Sequence, residues 1–343
     1  MRVFPAGDPD DRADYGGGMR GLLVVNPVAT ATTERVRDVL ASALAADLAL
    51  ETVVTKGRGH GVELGARAAE LGVDVVLALG GDGTVNEIIN GLLQNGPVPG
   101  GPAFAVVPGG STNVFARALG YSASPVEATG ELLSALREGR TRRISLGRAQ
   151  YGDERRWFTF CFGIGLDARV VARVEEKRGK GRRNTAGLFL RTAAGQILHG
   201  TDRRGSPITL TTADAGSAPA PGTTDPAGGR AEEHIAFCIV CNTRPWTYLN
   251  SRPVLACPDA SFDTGLDLLA LRRVRLPSVL RAASRILTDG EGPRGRNVVR
   301  RHNTSRIRFS TDTPLPVQMD GEYLGMFSEV LLTHQPHALR VVA

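Results

Sequence analysis

Three short apolar runs, Leu22 to Val25, Val73 to Leu79 and Phe104 to Val107, each stop at a turn and are followed by apolar positions at helical spacing. A nearly continuous apolar run of this length is the pattern of a parallel strand buried on both faces. Val36, Val39, Leu40, Ala43, Leu44 and Leu48 mark one helix, and Ile88, Ile89, Leu92 and Leu93 a second beginning near Thr84. Val114, Phe115, Ala118 and Leu119 give the apolar face of a third, and a strand is expected around Glu51 to Thr55. This alternation predicts an α/β domain over residues 19–145. Past residue 145 the rhythm changes to short β-like runs at Trp157 to Phe162, Ser206 to Thr211, Ile235 to Cys241, Leu266 to Leu271, Ile307 to Ser310 and Val330 to Thr333. They predict an antiparallel, β-rich domain over residues 146–335. Helical exceptions fall at 168–176, 186–198 and 277–287, and the Ala, Gly, Pro and Thr of residues 212–231 read as a flexible insertion.

The chain's 343 residues and 42% hydrophobic content suit two domains, each with its own core. Residues 1–18 carry four aspartates and three consecutive glycines without an apolar stretch, so they read as a disordered extension. No run of about 18 apolar residues occurs, which makes the chain soluble or peripheral to a membrane. The four cysteines are too few for a disulfide scaffold and suit a reducing cytoplasm. Cys238 and Cys241 have the spacing of a metal pair but lie in an apolar strand, which makes them core residues. The net charge is +6, with dense basic runs at 140–148 and 177–183. Such runs attract anionic lipid headgroups at about 1 kcal/mol per residue near the surface. Aromatics are 5% of the chain and show no stacking pattern beside the basic runs, so nucleic acid is not expected as a partner.

The junction LALGGDGTVNEIINGLL, Leu77 to Leu93, carries the chemistry. Gly80, Gly81 and Gly83 can take positive φ and admit another molecule close to the backbone. The helix that follows points its free amides and positive dipole end at the turn, which favours an anion such as phosphate. Asp82 in that setting implies a cation or a proton-donating hydroxyl between its carboxylate and the phosphates. A second turn, PGGSTNVFARALG from Pro108 to Gly120, repeats the arrangement, with Ser111 and Thr112 as hydroxyl donors and a possible N-cap.

These two turns resemble the nucleotide-binding elements of the diacylglycerol kinase catalytic domain family, which includes sphingosine kinases and bacterial lipid kinases. The resemblance rests on GGDGT with Asn86, Glu87, Asn90, Gly91 and Leu92, and on the PGG element with Asn113 and Arg117. It implies an α/β nucleotide domain joined to a larger antiparallel sheet or sandwich domain, an active site in the cleft between them, and a chain end, residues 336–343, that returns to the first domain. It further implies ATP and Mg²⁺, with Asn26, Thr55, Gly80, Gly81, Gly83, Thr84, Gly109, Gly110, Ser111, Thr112 and Asn113 around the nucleotide. His60 resembles the family's Thr-x-x-x-Gly-His element, and a helix-start role explains it equally well. Asp167 in FCFGIGLDARV resembles a cleft element, or caps the helix after it.

Asp263, in the segment from Pro258 to Asp267, resembles a structural divalent-ion site, although Thr264 splits the usual Asp-Gly pair. MDGEYLG, Met319 to Gly325, resembles the family's Asp-Gly-Glu element. Asp320 then serves as the base that takes the acceptor's proton, Glu322 as its partner, and Asp82 positions metal or acceptor. The implied activity is phosphorylation of diacylglycerol or a related lipid alcohol by a cytoplasmic protein that meets an anionic membrane surface, with a homodimer left open. Two readings stand beside it: an NAD kinase, which shares GGDGT but carries a Thr-Gly-Ser-Thr-Ala-Tyr element missing here, and a non-catalytic lipid or nucleotide binder on the same scaffold.

Overall fold

A computed structural model describes residues 18–29, 33–179, 208–214, 230–249, 251–274, 276–288 and 291–343. The expected extension up to residue 17, the helix at 186–198 and residues 215–229 of the expected insertion lie outside the described residues. The chain divides into two units: residues up to Ile144 with His337–Ala343, and Ser145–Pro336.

In the first unit the apolar runs become parallel strands. β1 (Arg20–Val25), α1 (Glu34–Ala45), β2 (Ala49–Val54), α2 (His60–Leu71), β3 (Val75–Gly80), α3 (Asp82–Leu92) and β4 (Ala103–Pro108) alternate strictly. The short α4 (Val114–Ala118) and α5 (Pro125–Arg137) follow. Strand order is β2-β1-β3-β4, with Val25 beside Leu79 and Gly80 beside Pro108. Every residue of β3 and β4 is buried, as their unbroken hydrophobicity requires. α1 is capped by the Thr33 hydroxyl and α5 by that of Ser124, with Pro125 in its first turn.

α2 and α3 cross at backbone distance. A Cβ at Gly91 would stand 2.0 Å from the Val62 carbonyl oxygen, and one at Gly65 2.3 Å from that of Ile88. Only hydrogen fits at either position.

The second unit is antiparallel. β5 (Thr141–Tyr151) enters it and pairs with β6 (Glu154–Phe158); β7 (Cys161–Ile164) and α6 (Leu166–Gly179) come next. β8 (Ile208–Asp214), β9 (Arg230–Ile235), β10 (Phe237–Cys241), β11 (Thr247–Leu249), β12 (Arg252–Val254), β13 (Leu266–Leu271), α7 (Leu276–Thr288), β14 (Val298–Met319) and β15 (Glu322–Val342) complete the order. β14 is the spine: along its length it pairs with β13, β8, β7 and β15, and the register break after Ser310 falls where it passes from β8 to β7. The expected strands at 307–310 and 330–333 are therefore parts of two much longer ones.

β10 separates two apolar clusters. Cys238 lies in one with Phe162 and Phe309, whereas Cys241 lies in the other with Cys257 and Leu269. Alternation along the strand thus turns the two thiols to opposite faces. The end of β15 belongs to the first unit, where Val341 pairs in parallel with Phe104 of β4. Among the described residues no helix is long and apolar enough to cross a membrane.

Candidate active site

In the first unit the expected nucleotide residues gather where β1, β3 and β4 end, the edge at which parallel sheets offer ligand sites. Asn26 donates its amide to the Thr84 hydroxyl at 2.8 Å and accepts the Val28 amide at 3.0 Å, so a side chain closes the first turn onto the third. Thr55 follows β2 and donates its amide to the Val25 carbonyl at 2.8 Å. Gly109 donates to the Gly80 carbonyl at 2.8 Å, which locks the two glycine turns together. The residues from Gly80 to Thr84 and from Gly109 to Asn113 are thus held as one body.

The glycines do this differently from the expectation. None of Gly80, Gly81 and Gly83 has positive φ. A Cβ on Gly110 would instead stand 2.7 Å from the Gly81 Cα, and one on Gly109 3.0 Å from that of Gly80. Turn packs on turn, and absent side chains let the two backbones touch. Gly83 is the exception: it is exposed, and nothing lies within 4 Å of the position its Cβ would take. A partner molecule can approach there.

Asp82 begins α3, two residues ahead of the expected start, and its two oxygens accept the Val114 and Phe115 amides at 3.1 Å each. It therefore caps α4 across 32 residues of sequence. The hydroxyls of Ser111 and Thr112, expected as possible caps, do not fill that role. Asn113 is the capping position in left-handed conformation, and its side chain turns back to bond the Gly110 amide and carbonyl, both at 2.8 Å. The α4 amides are consequently occupied, whereas the capping residue of α3 is Gly81, which has no side chain to offer, and the α3 N-terminus keeps the electrostatic character that attracts anions.

Glu87, which sequence reasoning included in the motif without a role, accepts the Gly59 and Gly61 amides at 3.0 Å each and so caps α2. His60 accepts the Lys56 amide on Nδ1 at 3.0 Å. These contacts fix the Thr55 to His60 loop beside the same strand ends.

Asp320, Glu322 and Asp263 lie in the second unit. Asp320 and Gly321 form the two-residue turn between β14 and β15, with φ of 49° and 81°, the positive pair a type I′ hairpin requires. Asp320 is 8% exposed. One oxygen accepts the Thr159 amide and hydroxyl at 2.7 and 2.8 Å, and the other accepts the Phe160 and Cys161 amides at 3.0 Å. These bonds split the expected strand from Trp157 to Phe162 into β6 and β7. Burial pushes the Asp320 carboxyl up, against the four donors that favour its ionised form. With its lone pairs filled, it accepts a proton only if an arriving hydroxyl displaces a donor.

Glu322 forms a two-point pair with the Arg156 guanidinium at 3.1 and 3.4 Å, with 24% and 28% of the two side chains exposed. Arg156 lies 166 residues from its partner, and no local signal could have found it. The side chain of Asp167 lies outside the described residues.

The Asp263 loop does not fit a divalent-ion site. Asp263 is exposed and accepts the Ser261 hydroxyl at 3.3 Å, while Gly265 donates to Asn303 at 2.7 Å. Asp267 is buried with both oxygens facing His302 Nδ1 at 2.9 and 3.0 Å, and burial raises its carboxyl pKa. Among the described residues no three His, Cys, Asp or Glu side chains gather as a metal-ligand set.

The family model described as the diacylglycerol kinase catalytic domain matches residues 20–149. The chain is 27% identical over 283 residues to a diacylglycerol kinase of Bacillus subtilis, covering 80% of each. It is 39% identical over 118 residues to a YegS-like lipid kinase of Chromohalobacter salexigens, covering 34% of this chain and 35% of that one. A diacylglycerol kinase structure from Bacillus anthracis aligns over 96% of this chain and 98% of its own with a TM-score of 0.66 and 19% identity, which shows a shared fold. Over residues 20–149 the α/β unit with its paired glycine turns matches the diacylglycerol kinase catalytic domain, and the chain is similar to members of that family.

Proposed function

We propose that the protein transfers the γ-phosphoryl group of ATP to the hydroxyl of diacylglycerol or a related lipid alcohol, at the cytoplasmic face of a membrane. The observation that carries this reading is the α3 N-terminus: capped by Gly81, which has no side chain to offer its amides, fronted by open space at Gly83, and set in a GGDGT turn like that of the matched domain. Its amides and dipole suit the triphosphate, with Asn26, Thr55 and Thr84 bordering the nucleotide and Ser111, Thr112 and the amides beside them as further donors.

Asp82, whose two oxygens accept the Val114 and Phe115 amides at 3.1 Å, sets a carboxylate beside the glycine turns, where it fits magnesium brought in on the phosphates. The ion would offset triphosphate charge. The hairpin supplies the base. Asp320 acts in that role if the hydroxyl displaces one of its donors, and Glu322 if the hydroxyl takes the place of Arg156.

Radiolabelled ATP with diacylglycerol micelles, and separately with NAD, tests the reading: labelled phosphatidic acid is expected. Labelled NADP instead would establish an NAD kinase, and ATP binding without transfer a non-catalytic relative. Gly83→Ala should raise the KM for ATP several-fold at unchanged melting temperature, since its Cβ meets only open space in the free protein. An unchanged KM would remove the triphosphate from that turn. Glu322→Gln separates the two bases: a fall in kcat of about 10²-fold or more assigns the proton to Glu322, and retained turnover leaves Asp320.

A further inference from the structure

α7 lies in a segment, Arg272 to Thr288, that contains Arg272, Arg273, Arg275, Arg281 and Arg285 and no acidic residue. The helix is anchored along one side. Ala282 is buried, Ile286 packs on the Cys241, Cys257 and Leu269 cluster, and the Ile286 carbonyl accepts the Leu255 amide at 3.4 Å. At about 100° per residue, Leu280, Ala283 and Leu287 fall on the neighbouring face. Leu280 is 59% exposed, Ala283 is exposed and Leu287 half-buried. Its apolar arc is thus wider than the surface that covers it, and exposed Arg281 lies beyond Leu280.

We infer that α7 rests in the plane of an anionic bilayer surface, with the Leu280 stripe among the acyl-chain ends and the arginines at headgroup phosphates. A helix that carries Arg281 and Arg285, follows three further arginines, has no acidic residue and leaves an apolar stripe open has the chemistry of an interfacial helix. Acidic protein or nucleic acid would answer the arginines but leave the stripe in water. This inference rests on the proposed lipid reaction for its purpose, because a bilayer-held acceptor must be met at the surface. It assigns that contact to α7, apart from the basic runs at 140–148 and 177–183.

Sedimentation of the full chain with vesicles of phosphatidylcholine, with and without phosphatidylglycerol, tests it. Binding should require the anionic lipid and fall about tenfold in Leu280→Asp and in Arg281→Glu, both exposed positions whose melting temperatures should not change. Leu280→Trp should bind at least as well, with blue-shifted emission on the anionic vesicles. Equal binding by both charge variants and the parent overturns the assignment, as does a change confined to oligomeric mass in light scattering. Phosphorylation of a water-dispersed short-chain diacylglycerol, assayed in parallel, reports the reaction separately: its absence with vesicle binding intact overturns the reaction and supports the docking face.

Discussion

Asp82 and Asp320 sit in Gly-containing motifs, and each spends its carboxylate on main-chain amides far away in sequence. An amide substitution replaces one acceptor by a donor that faces other donors, and each such mismatch costs about 1–3 kcal/mol when buried. Asp320→Asn should accordingly lose about 2–3 kcal/mol in chemical denaturation, so lost activity in that variant would not by itself prove a catalytic role. Asp82→Asn should loosen the second glycine turn, lowering stability and raising the KM for ATP together. Asp267 offers a pH test. Burial raises its native pKa above the ordinary 3.8, so the folded state holds the proton more tightly than the unfolded one. Its contribution is present below pH 3.8 and is lost as pH rises through the raised native value. Melting temperature followed upward from pH 3.8 should therefore fall less steeply in Asp267→Asn than in the parent.

α2 and α3 meet through glycines, and this contact explains part of what the motif encodes. Gly91→Ala would drive a methyl into the Val62 carbonyl, and overpacking of that kind costs about 1–3 kcal/mol. A melting temperature lowered by several degrees is expected, in contrast to Gly83→Ala. Much of the first unit was legible because its buried strands are uniformly apolar and its helices periodic: β1, β3, β4 and α3 follow directly from those patterns. The cap of α4 was not legible, because Asp82 reaches it from another turn and the nearer hydroxyls looked equally able. Likewise the break between β6 and β7 is imposed by Asp320 from some 160 residues away. The reading of the glycines as openings missed their use as contact surfaces, since sequence shows a missing side chain without showing what fills the space; Gly83 faces open space, without the positive φ expected of it.

The second unit is an insertion within the first: the chain leaves after Ile144 and returns at His337. The return is held by the Val341 pairing with Phe104, by the Tyr121 hydroxyl on the Val342 carbonyl at 2.8 Å, and by the Ala343 amide on the Arg140 carbonyl at 3.4 Å. Burial drives the Tyr121 hydroxyl to a pKa of about 12, so this donor keeps its proton throughout the physiological range. Tyr121→Phe should cost about 1 kcal/mol in denaturant titration. Removal of residues 337–343 should cost far more, because it bares the edge of β4 and promotes aggregation, measurable as light scattering on warming. A ribosome reading this message therefore finishes the earlier unit last: Phe104 waits, through the synthesis of more than two hundred further residues, for the strand that shields it. Nascent chains that stall within the insertion would present an unzipped flank to chaperones, which ties maturation of the first unit to complete translation.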